Sequence, residues 1–320
     1  MFGMRTAYLK SIESFCGPEV GVPLRFELLS DKRHTLLRVH GARRTGVLKV
    51  YTGRHDLWAR EVKAYRLFAG PVRLPELWNA EWKGKVGFVL MDYVEGAPLS
   101  LFLGDRSFPL ERAFRQAAEI AKAIHCVGAN LGPSDAEGFE VDTLLRLGLG
   151  TGAFADALVN RFERVRQHLG ERWFERIEPA ARSAAATLRG IHATAGLIHG
   201  DFQPKNLLVR NAGVVAAIVD WELARVSVPV CDVAAILRFT MTTRLERTAL
   251  KAYSTRRSPS HVAKIARCFD LARVGVGLSS ADWSADDIPK WVDFLNGCAD
   301  YVLDGRQVRR LRKAAARLLN

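Results

Sequence analysis

The chain has 320 residues, 48% hydrophobic and 25% charged, an ordinary globular composition that excludes a disordered or fibrous protein. At that length one hydrophobic core is inefficient, so two lobes are the expectation. The net charge of +13 sits at the two ends: residues 1–90 carry +8, residues 305–320 carry +6, and residues 91–304 are near neutral at −1.

The N-terminus, Met1-Phe2-Gly3-Met4-Arg5-Thr6-Ala7, lacks the apolar core of a signal peptide, and no apolar run approaches the length of a membrane span. Cys16, Cys126, Cys231, Cys268 and Cys298 are odd in number and far apart, with no CxxC pair. That is the pattern of reduced, mostly buried thiols in a cytoplasmic protein rather than of a disulfide frame or a zinc site.

Residues 22–29, 34–40 and 47–51 read as strands, separated by the polar breaks Ser30-Asp31-Lys32-Arg33 and 41–46. A helix follows over 56–69, because Trp58, Val62, Tyr65 and Phe68 recur at helical spacing, and Gly70-Pro71 ends it. Residues 77–82 and 85–93 alternate like strands around Lys83-Gly84. Glu95-Gly96-Ala97-Pro98 reads as a linker, placing the lobes at 1–94 and 95–320. Beyond it helices are expected over 110–128, 153–169 and 177–193, with short strands around 197–220 and helices again to the end. The fold class is therefore α+β: a small β-rich lobe followed by a larger, mainly helical one.

The densest chemical signal is Leu197-Ile198-His199-Gly200-Asp201-Phe202-Gln203-Pro204-Lys205-Asn206, followed by two apolar strands around Asn211-Ala212-Gly213 and then by Asp220-Trp221-Glu222. The strands read as a hairpin with glycine at the last turn position. In its simplest register Asn206 lies opposite Ile218, with Asp220 as its same-face diagonal neighbour, roughly 7–8 Å away. Two hard oxygen donors then converge at a distance suited to a shared divalent cation, as magnesium requires. A bulge would shift that register. Asp201, on a loop that Pro204 keeps from being helical, could add a third oxygen donor, a second carboxylate. Taken one motif at a time, His-Gly-Asp could equally be a turn, and Asp220-Trp221-Glu222 a strand-to-helix cap.

His199-x-Asp201-x-x-x-x-Asn206 followed by Asp220-Trp221-Glu222 resembles the catalytic and metal-binding loops of the aminoglycoside phosphotransferase and choline kinase family, a relative of the protein kinases. The resemblance implies a bilobal protein-kinase-like fold, ATP (GTP stays open) and Mg2+ as cofactors, and a small-molecule acceptor. It implies that Asp201 orients the acceptor hydroxyl or takes its proton, and that Asn206 and Asp220 hold magnesium on the nucleotide phosphates. Pro229-x-x-Asp232-x-Ala234 resembles the family's segment in which the Asp braces the catalytic loop, so His199 and Asp232 are read as supports.

In the first lobe Lys49 is a lone charge in the apolar strand 47–51, like the strand lysine of kinase-type folds. Glu61 shares the inward stripe of its helix and is the natural partner, since a buried carboxylate needs compensation. Phe88-Val89-Leu90-Met91-Asp92-Tyr93-Val94-Glu95-Gly96 resembles the hinge, which implies Met91 at the nucleotide and backbone at Asp92 and Val94 pairing with adenine. No GxGxxG loop covers the phosphates; Ser30 or nearby amides in 30–35 are the candidates. Gly200 stands where regulated protein kinases have Arg, and only 11 residues separate Asp220 from Asp232, which leaves no room for an activation loop.

The leading reading is an ATP- and Mg-dependent kinase of a small-molecule hydroxyl; an aminoalcohol or sugar kinase of primary metabolism is the alternative. A different class is a basic binding protein using the tail 306–313 for nucleic acid or anionic lipid. Val308, Leu311, Ala315 and Leu318 give that tail an apolar stripe for docking instead, so no nucleic-acid partner is required. The oligomeric state is left open. Residues 270–304 carry seven acids and two bases, with Trp283, Trp291, Phe294 and Tyr301 among them. In the resembling family the C-terminal helices wall the acceptor pocket, and aromatic faces with carboxylates suit ammonium groups, which points to a cationic acceptor near Asp286, Asp287, Trp283 and Trp291. Asp286-Asp287 reads equally as a helix cap before Ile288.

Overall fold

The structure is a computed structural model and describes residues 6–70, 72–163, 166, 171–189, 191–240, 242–254, 258–278, 288–304 and 314. The chain forms two compact units: Met1–Gly96 with Ala216–Leu223, and Ala97–Val215 with Ala224–Asn320.

The first unit opens with α1 (Thr6–Val20), for which the sequence analysis assigned no element. Ile12, Phe15, Cys16 and Val20 recur at helical spacing and are buried, but Gly17-Pro18 between them reads as a helix end. Packing overrides that local signal. Strands β1 (Arg25–Asp31), β2 (Thr35–His40), β3 (Thr45–Thr52), β4 (Leu77–Lys83) and β5 (Val86–Asp92) form one sheet in the order β1-β2-β3-β5-β4. All four pairings are antiparallel. One face carries Leu37, Val39, Leu48, Phe88 and Leu90 against the apolar side of α1, which makes the core of this unit.

Side chains alternate along a strand, so if Leu48 serves that core, Lys49 and Tyr51 share the opposite face. Helix α2 (His55–Phe68) buries Leu57, Arg60, Glu61, Val62, Ala64, Tyr65 and Phe68. Its buried residues include one carboxylate, Glu61, and one guanidinium, Arg60. β1 starts at Arg25 rather than at Val22, which is exposed.

The second unit starts with β6 (Ala97–Pro98) and α3 (Leu110–Ala129). A Cβ on Gly128 of α3 would lie 1.9 Å from the Leu197 carbonyl oxygen, so only glycine lets the strand β8 (Gly196–Ile198) lie on the helix. Between them run α4 (Pro133–Ala136), β7 (Glu140–Val141), α5 (Thr143–Arg146), α6 (Gly152–Glu163) and α7 (Glu171–Thr187).

β9 (Leu207–Arg210) and β10 (Val214–Ile218) flank the turn Asn211–Gly213, where Gly213 has φ 69°. Their sheet order is β10-β9-β6. β11 (Arg225–Ser227) pairs antiparallel with β8 and parallel with β7. All eight residues of α8 (Val230–Leu237) are buried, so it is apolar all round except for Asp232. Then follow α9 (Thr243–Tyr253), α10 (Pro259–Leu278) and α11 (Ile288–Asp304).

A β-sheet unit followed by a mainly helical one is the expected α+β, protein-kinase-like fold. Helix 153–169 is seen over Gly152–Glu163, and 177–193 is seen as Glu171–Thr187 followed by a separate 3-10 turn, Ile191–Thr194. The basic tail lies outside the described residues except for Ala314, which is buried. Among the described residues no helix is long and apolar enough to cross a membrane. Cys16, Cys231, Cys268 and Cys298 are buried and Cys126 is exposed, all five as free thiols.

Candidate active site

In the first unit the alternation of β3 aims Lys49 at α2, where its Nζ lies 3.1 Å from Glu61 Oε2. The returning segment 216–223 adds two more carboxylates: Asp220 Oδ1 at 2.6 Å and Glu222 Oε2 at 3.0 Å from the same nitrogen. One buried ammonium thus faces three acids. Tyr51, two residues along the strand, donates its hydroxyl to Glu61 Oε2 and contacts Glu222 Oε2 at 3.2 Å. The Trp221 backbone N–H donates to Glu61 Oε1, and the Trp221 ring stacks on Phe68 at 4.7 Å, fixing the segment against α2. Asp220 itself has φ 69°, the left-handed region, at a cost of roughly 1–2 kcal/mol for a non-glycine residue. Strain held in place by packing is common at functional sites.

The charges in this cluster are uneven. Burial works against the Lys49 cation, but Glu61, Asp220 and Glu222 outweigh it and raise its pKa above the ordinary lysine value. Burial dominates at Glu61 and raises its pKa despite Lys49. At Glu222 burial is outweighed by His34 and Lys49, and the carboxyl is held at about 2. His34 Nε2 lies 2.7 Å from Glu222 Oε2, near enough to favour the anion though without hydrogen-bond alignment, and Arg33 Nη1 lies 3.2 Å from Oε1.

The depressed value has a consequence for stability. Ionised Glu222 stabilises the fold fully above its unfolded value of 4.5, and that contribution fades as pH falls towards 2. Glu222→Gln should therefore shrink the difference in Tm between pH 7 and pH 3 relative to the parent. An unchanged difference in differential scanning fluorimetry assigns the acid sensitivity elsewhere.

Met91 is buried at the end of β5, and the Asp92 N–H donates to the Glu76 carbonyl at 2.9 Å. Val94 follows the strand, and Ser30 pairs with Leu36 across β1–β2.

In the second unit His199-Gly200-Asp201 leaves β8 and is pinned by one carboxylate. The backbone N–H groups of His199 and Gly200 donate to Asp232 Oδ2 and Oδ1, at 3.0 and 2.9 Å. His199 Nδ1 accepts the Asp201 N–H at 3.2 Å, closing a tight turn, and Gly200 supplies the positive φ of 82°. Burial opposes ionisation of Asp232, yet His125, His199 and the Gly200 amide lower its pKa below the usual carboxylate value.

The Pro204–Asn206 3-10 turn brings Asn206 back on Asp201. Its Nδ2 donates to the Asp201 carbonyl at 2.8 Å and to Oδ2 at 3.1 Å. Gln203 donates to Asp201 Oδ1, and Lys205 Nζ sits 2.9 Å from Oδ2. Asp201 is thus a carboxylate with a fixed rotamer, 8% exposed.

The sequence analysis missed Tyr51 and Glu222 as partners of Lys49, although each lies two residues from a named candidate and period-two alternation could have found Tyr51. It also missed Gln203 and Lys205, and His125, whose Nε2 lies 3.2 Å from Asp232 Oδ2. The available signal was a histidine on the stripe of α3 that carries Ala117, Ala121, Ile124 and Gly128.

Asp286, Asp287 and Trp283 lie outside the described residues. Trp291 is described, and the Arg238 guanidinium lies 5.5 Å from its ring centroid. Two of the seven acids counted there are used internally: Asp270 pairs with Arg238 at 2.6 Å and Arg267 at 3.2 Å, and Asp300 with Arg176 at 2.7 Å.

Solved structures of the same fold give the class. A Ralstonia eutropha JMP134 protein provisionally described as an aminoglycoside phosphotransferase superimposes with a TM-score of 0.64 at 14% identity, covering 97% of this chain and 98% of that one. A thermostable variant of aminoglycoside phosphotransferase APH(4)-Ia, in ternary complex with AMP-PNP and hygromycin B, gives 0.59 at 19% identity, covering 91% and 97%. Macrolide 2'-phosphotransferase MphH from Brachybacterium faecium gives 0.59 at 17%, covering 89% and 97%.

The fold is that of the kinase-like phosphotransferases. The profile described as Phosphotransferase enzyme family (APH) matches residues 27–266, and the chain belongs to that family. No curated protein matches the chain significantly.

Proposed function

We propose that the protein transfers the terminal phosphoryl group of ATP to a hydroxyl of a small molecule, with Asp201 as the residue that orients the hydroxyl and takes its proton. The observation that carries this reading is the Asp201 carboxylate itself. It is held by Asn206, Gln203 and Lys205 on a loop pinned through Asp232, and it keeps an edge open to solvent. Phosphoryl transfer asks little covalent chemistry of a protein, so positioning and local charge do most of the work. Lys205 beside Asp201 places a cation where charge moves during transfer.

Nucleotide and metal fit the residues present. Lys49 is a cation with three acids around it and can exchange Asp220 for phosphate oxygens while Glu61 and Tyr51 keep it in place. At the end of β5 the Asp92 N–H is taken by Glu76, which leaves its carbonyl and the Val94 backbone for a purine. Ser30 or its neighbours would meet the phosphates. Among the described residues no group of three His, Cys, Asp or Glu side chains could hold a metal. Magnesium needs no such cage, since phosphates and waters complete its shell.

Asp220 supplies a carboxylate, and Asn206 has its amide nitrogen engaged with Asp201, which leaves the amide oxygen as a hard donor. Magnesium, when bound, neutralises the phosphates and orients them for in-line transfer. Asn206→Ala and Asp220→Ala should each raise the magnesium concentration for half-maximal activity by about tenfold or more. Unchanged titrations in both would remove these residues from the metal site.

An amine-bearing acceptor, such as an amino sugar, aminocyclitol or amino alcohol, is the finer reading. With Asp270 and Asp300 paired internally and Trp291 facing Arg238, that reading rests on Asp286, Asp287 and Trp283. The test is nucleotide consumption, with ATP and with GTP, against aminoglycosides, sugars, amino alcohols and nucleosides. The expected result is one amine-bearing class that raises turnover above the water background. Response only to neutral or anionic hydroxyl compounds overturns the amine, and no response at all overturns the hydroxyl kinase.

A further inference from the structure

The second unit contains a cavity of about 700 Å³ that the proposed chemistry does not use. Its size falls within the range of small-molecule sites, roughly 300–1,000 Å³. One wall is a stripe of α3: Lys122, His125, Cys126 and Ala129 fall at i, i+3, i+4 and i+7 and so share a face. Opposing it are the apolar side chains of Ile191, Val262 and Ile265.

One lining group stands without a charged partner. Lys122, partly exposed on α3, forms no ion pair among the described residues. A largely apolar chamber with an unpaired ammonium on its wall is matched by an apolar body ending in an anion, and a carboxylate is the salt-bridge partner that Lys122 lacks.

The cavity wall is also one hydrogen-bond chain away from the catalytic segment. Tyr253, which lines the cavity, lies with its hydroxyl 2.9 Å from His125 Nδ1. His125 Nε2 lies 3.2 Å from Asp232 Oδ2, and Asp232 accepts the N–H groups of His199 and Gly200. One tautomer satisfies the whole chain: Tyr253 donates to Nδ1, and the proton on Nε2 is donated to Asp232. A ligand that draws on the Tyr253 hydroxyl alters the hydrogen bond that orients His125, and with it the carboxylate pinning residues 199–200.

We propose that this cavity is a regulatory site for a small amphipathic carboxylate, with Lys122 at the head group, and that its occupancy is transmitted to the catalytic loop through Tyr253, His125 and Asp232. Transmission depends on the geometry of the loop and not on its chemistry, so ligand binding and amide exchange read it without an activity assay.

Sodium octanoate is the probe, with 1-octanol and octylamine as controls. In titration calorimetry octanoate should bind the full chain at one saturable site, with 1-octanol at least tenfold weaker and octylamine silent. Bound octanoate should slow maleimide labelling of Cys126, the exposed thiol on the cavity wall. It should also change amide exchange in the peptide covering 197–206, an effect lost in Tyr253→Phe.

Lys122→Met should weaken octanoate about tenfold or more, and Val262→Trp should weaken it by narrowing the chamber. Lys122 stands partly exposed on α3, so its variant keeps the test valid if Val262→Trp fails to fold. No saturable binding, or binding indifferent to Lys122→Met, overturns the site. Binding without any exchange response at 197–206 overturns the regulatory role.

Discussion

Asp201→Asn should lower turnover by roughly a hundredfold to ten-thousandfold, the range that positioned acid–base groups supply, while leaving nucleotide affinity close to that of the parent. The substitution keeps the shape but removes the acceptor for the hydroxyl proton. Its structural cost is small. Gln203 and Asn206 both donate to the Asp201 carboxylate, so an amide there turns one N–H towards another, about 1 kcal/mol of lost hydrogen bonding. Lys205 loses its ion pair, but it is mostly exposed and that loss is minor. Steady-state kinetics and nucleotide titration on the same preparation separate the two effects. A variant that keeps more than about a tenth of parental turnover removes Asp201 from the chemistry.

Lys49→Met should be damaging in two ways at once. It removes the lysine that contacts Glu61, Asp220 and Glu222, and truncating one partner of a buried pair costs about 3–5 kcal/mol because the others stay desolvated. Glu61, fully buried and already raised in pKa, should respond by taking up a proton. A group whose folded pKa is raised stabilises the fold below its unfolded pKa and loses that contribution as pH rises through the folded value. The variant should therefore lose Tm more steeply than the parent between pH 5 and pH 8. Lys49→Met/Glu61→Gln should regain part of the Tm at pH 8 without regaining nucleotide use. A single variant as stable as the parent at pH 8 contradicts this account of the cluster.

Much of this site was legible in the linear sequence, for identifiable reasons. Lys49 stands out as a charge in an apolar strand, Glu61 as a carboxylate on an apolar stripe, and Asp201 and Asn206 as neighbours in one short segment. Each signal lies within a few residues, where strand and helix periodicities are strict. Helix α1 was hidden because Gly17-Pro18 reads as an ending, and only the sheet face it covers explains why the helix continues. The hairpin register proposed for Asn206 treated it as a strand residue. It belongs instead to the Pro204–Asn206 3-10 turn, which directs its amide at Asp201.

The sequence by itself determined the α+β order of elements, the family resemblance carried by residues 199–220 and the lysine–glutamate pair of the first unit, because each is written in local periodicity or in a compact motif. Only the tertiary structure decided which charges share a volume. Lys49 meets Asp220 across 171 residues and His125 meets Asp232 across 107, separations at which no spacing rule operates. It also decided that Asp270 and Asp300 belong to internal ion pairs rather than to an open acidic face. The physical reason is desolvation. Burial makes an uncompensated charge so costly that distant residues are drawn to it, and the identity of those partners is settled only when the chain packs.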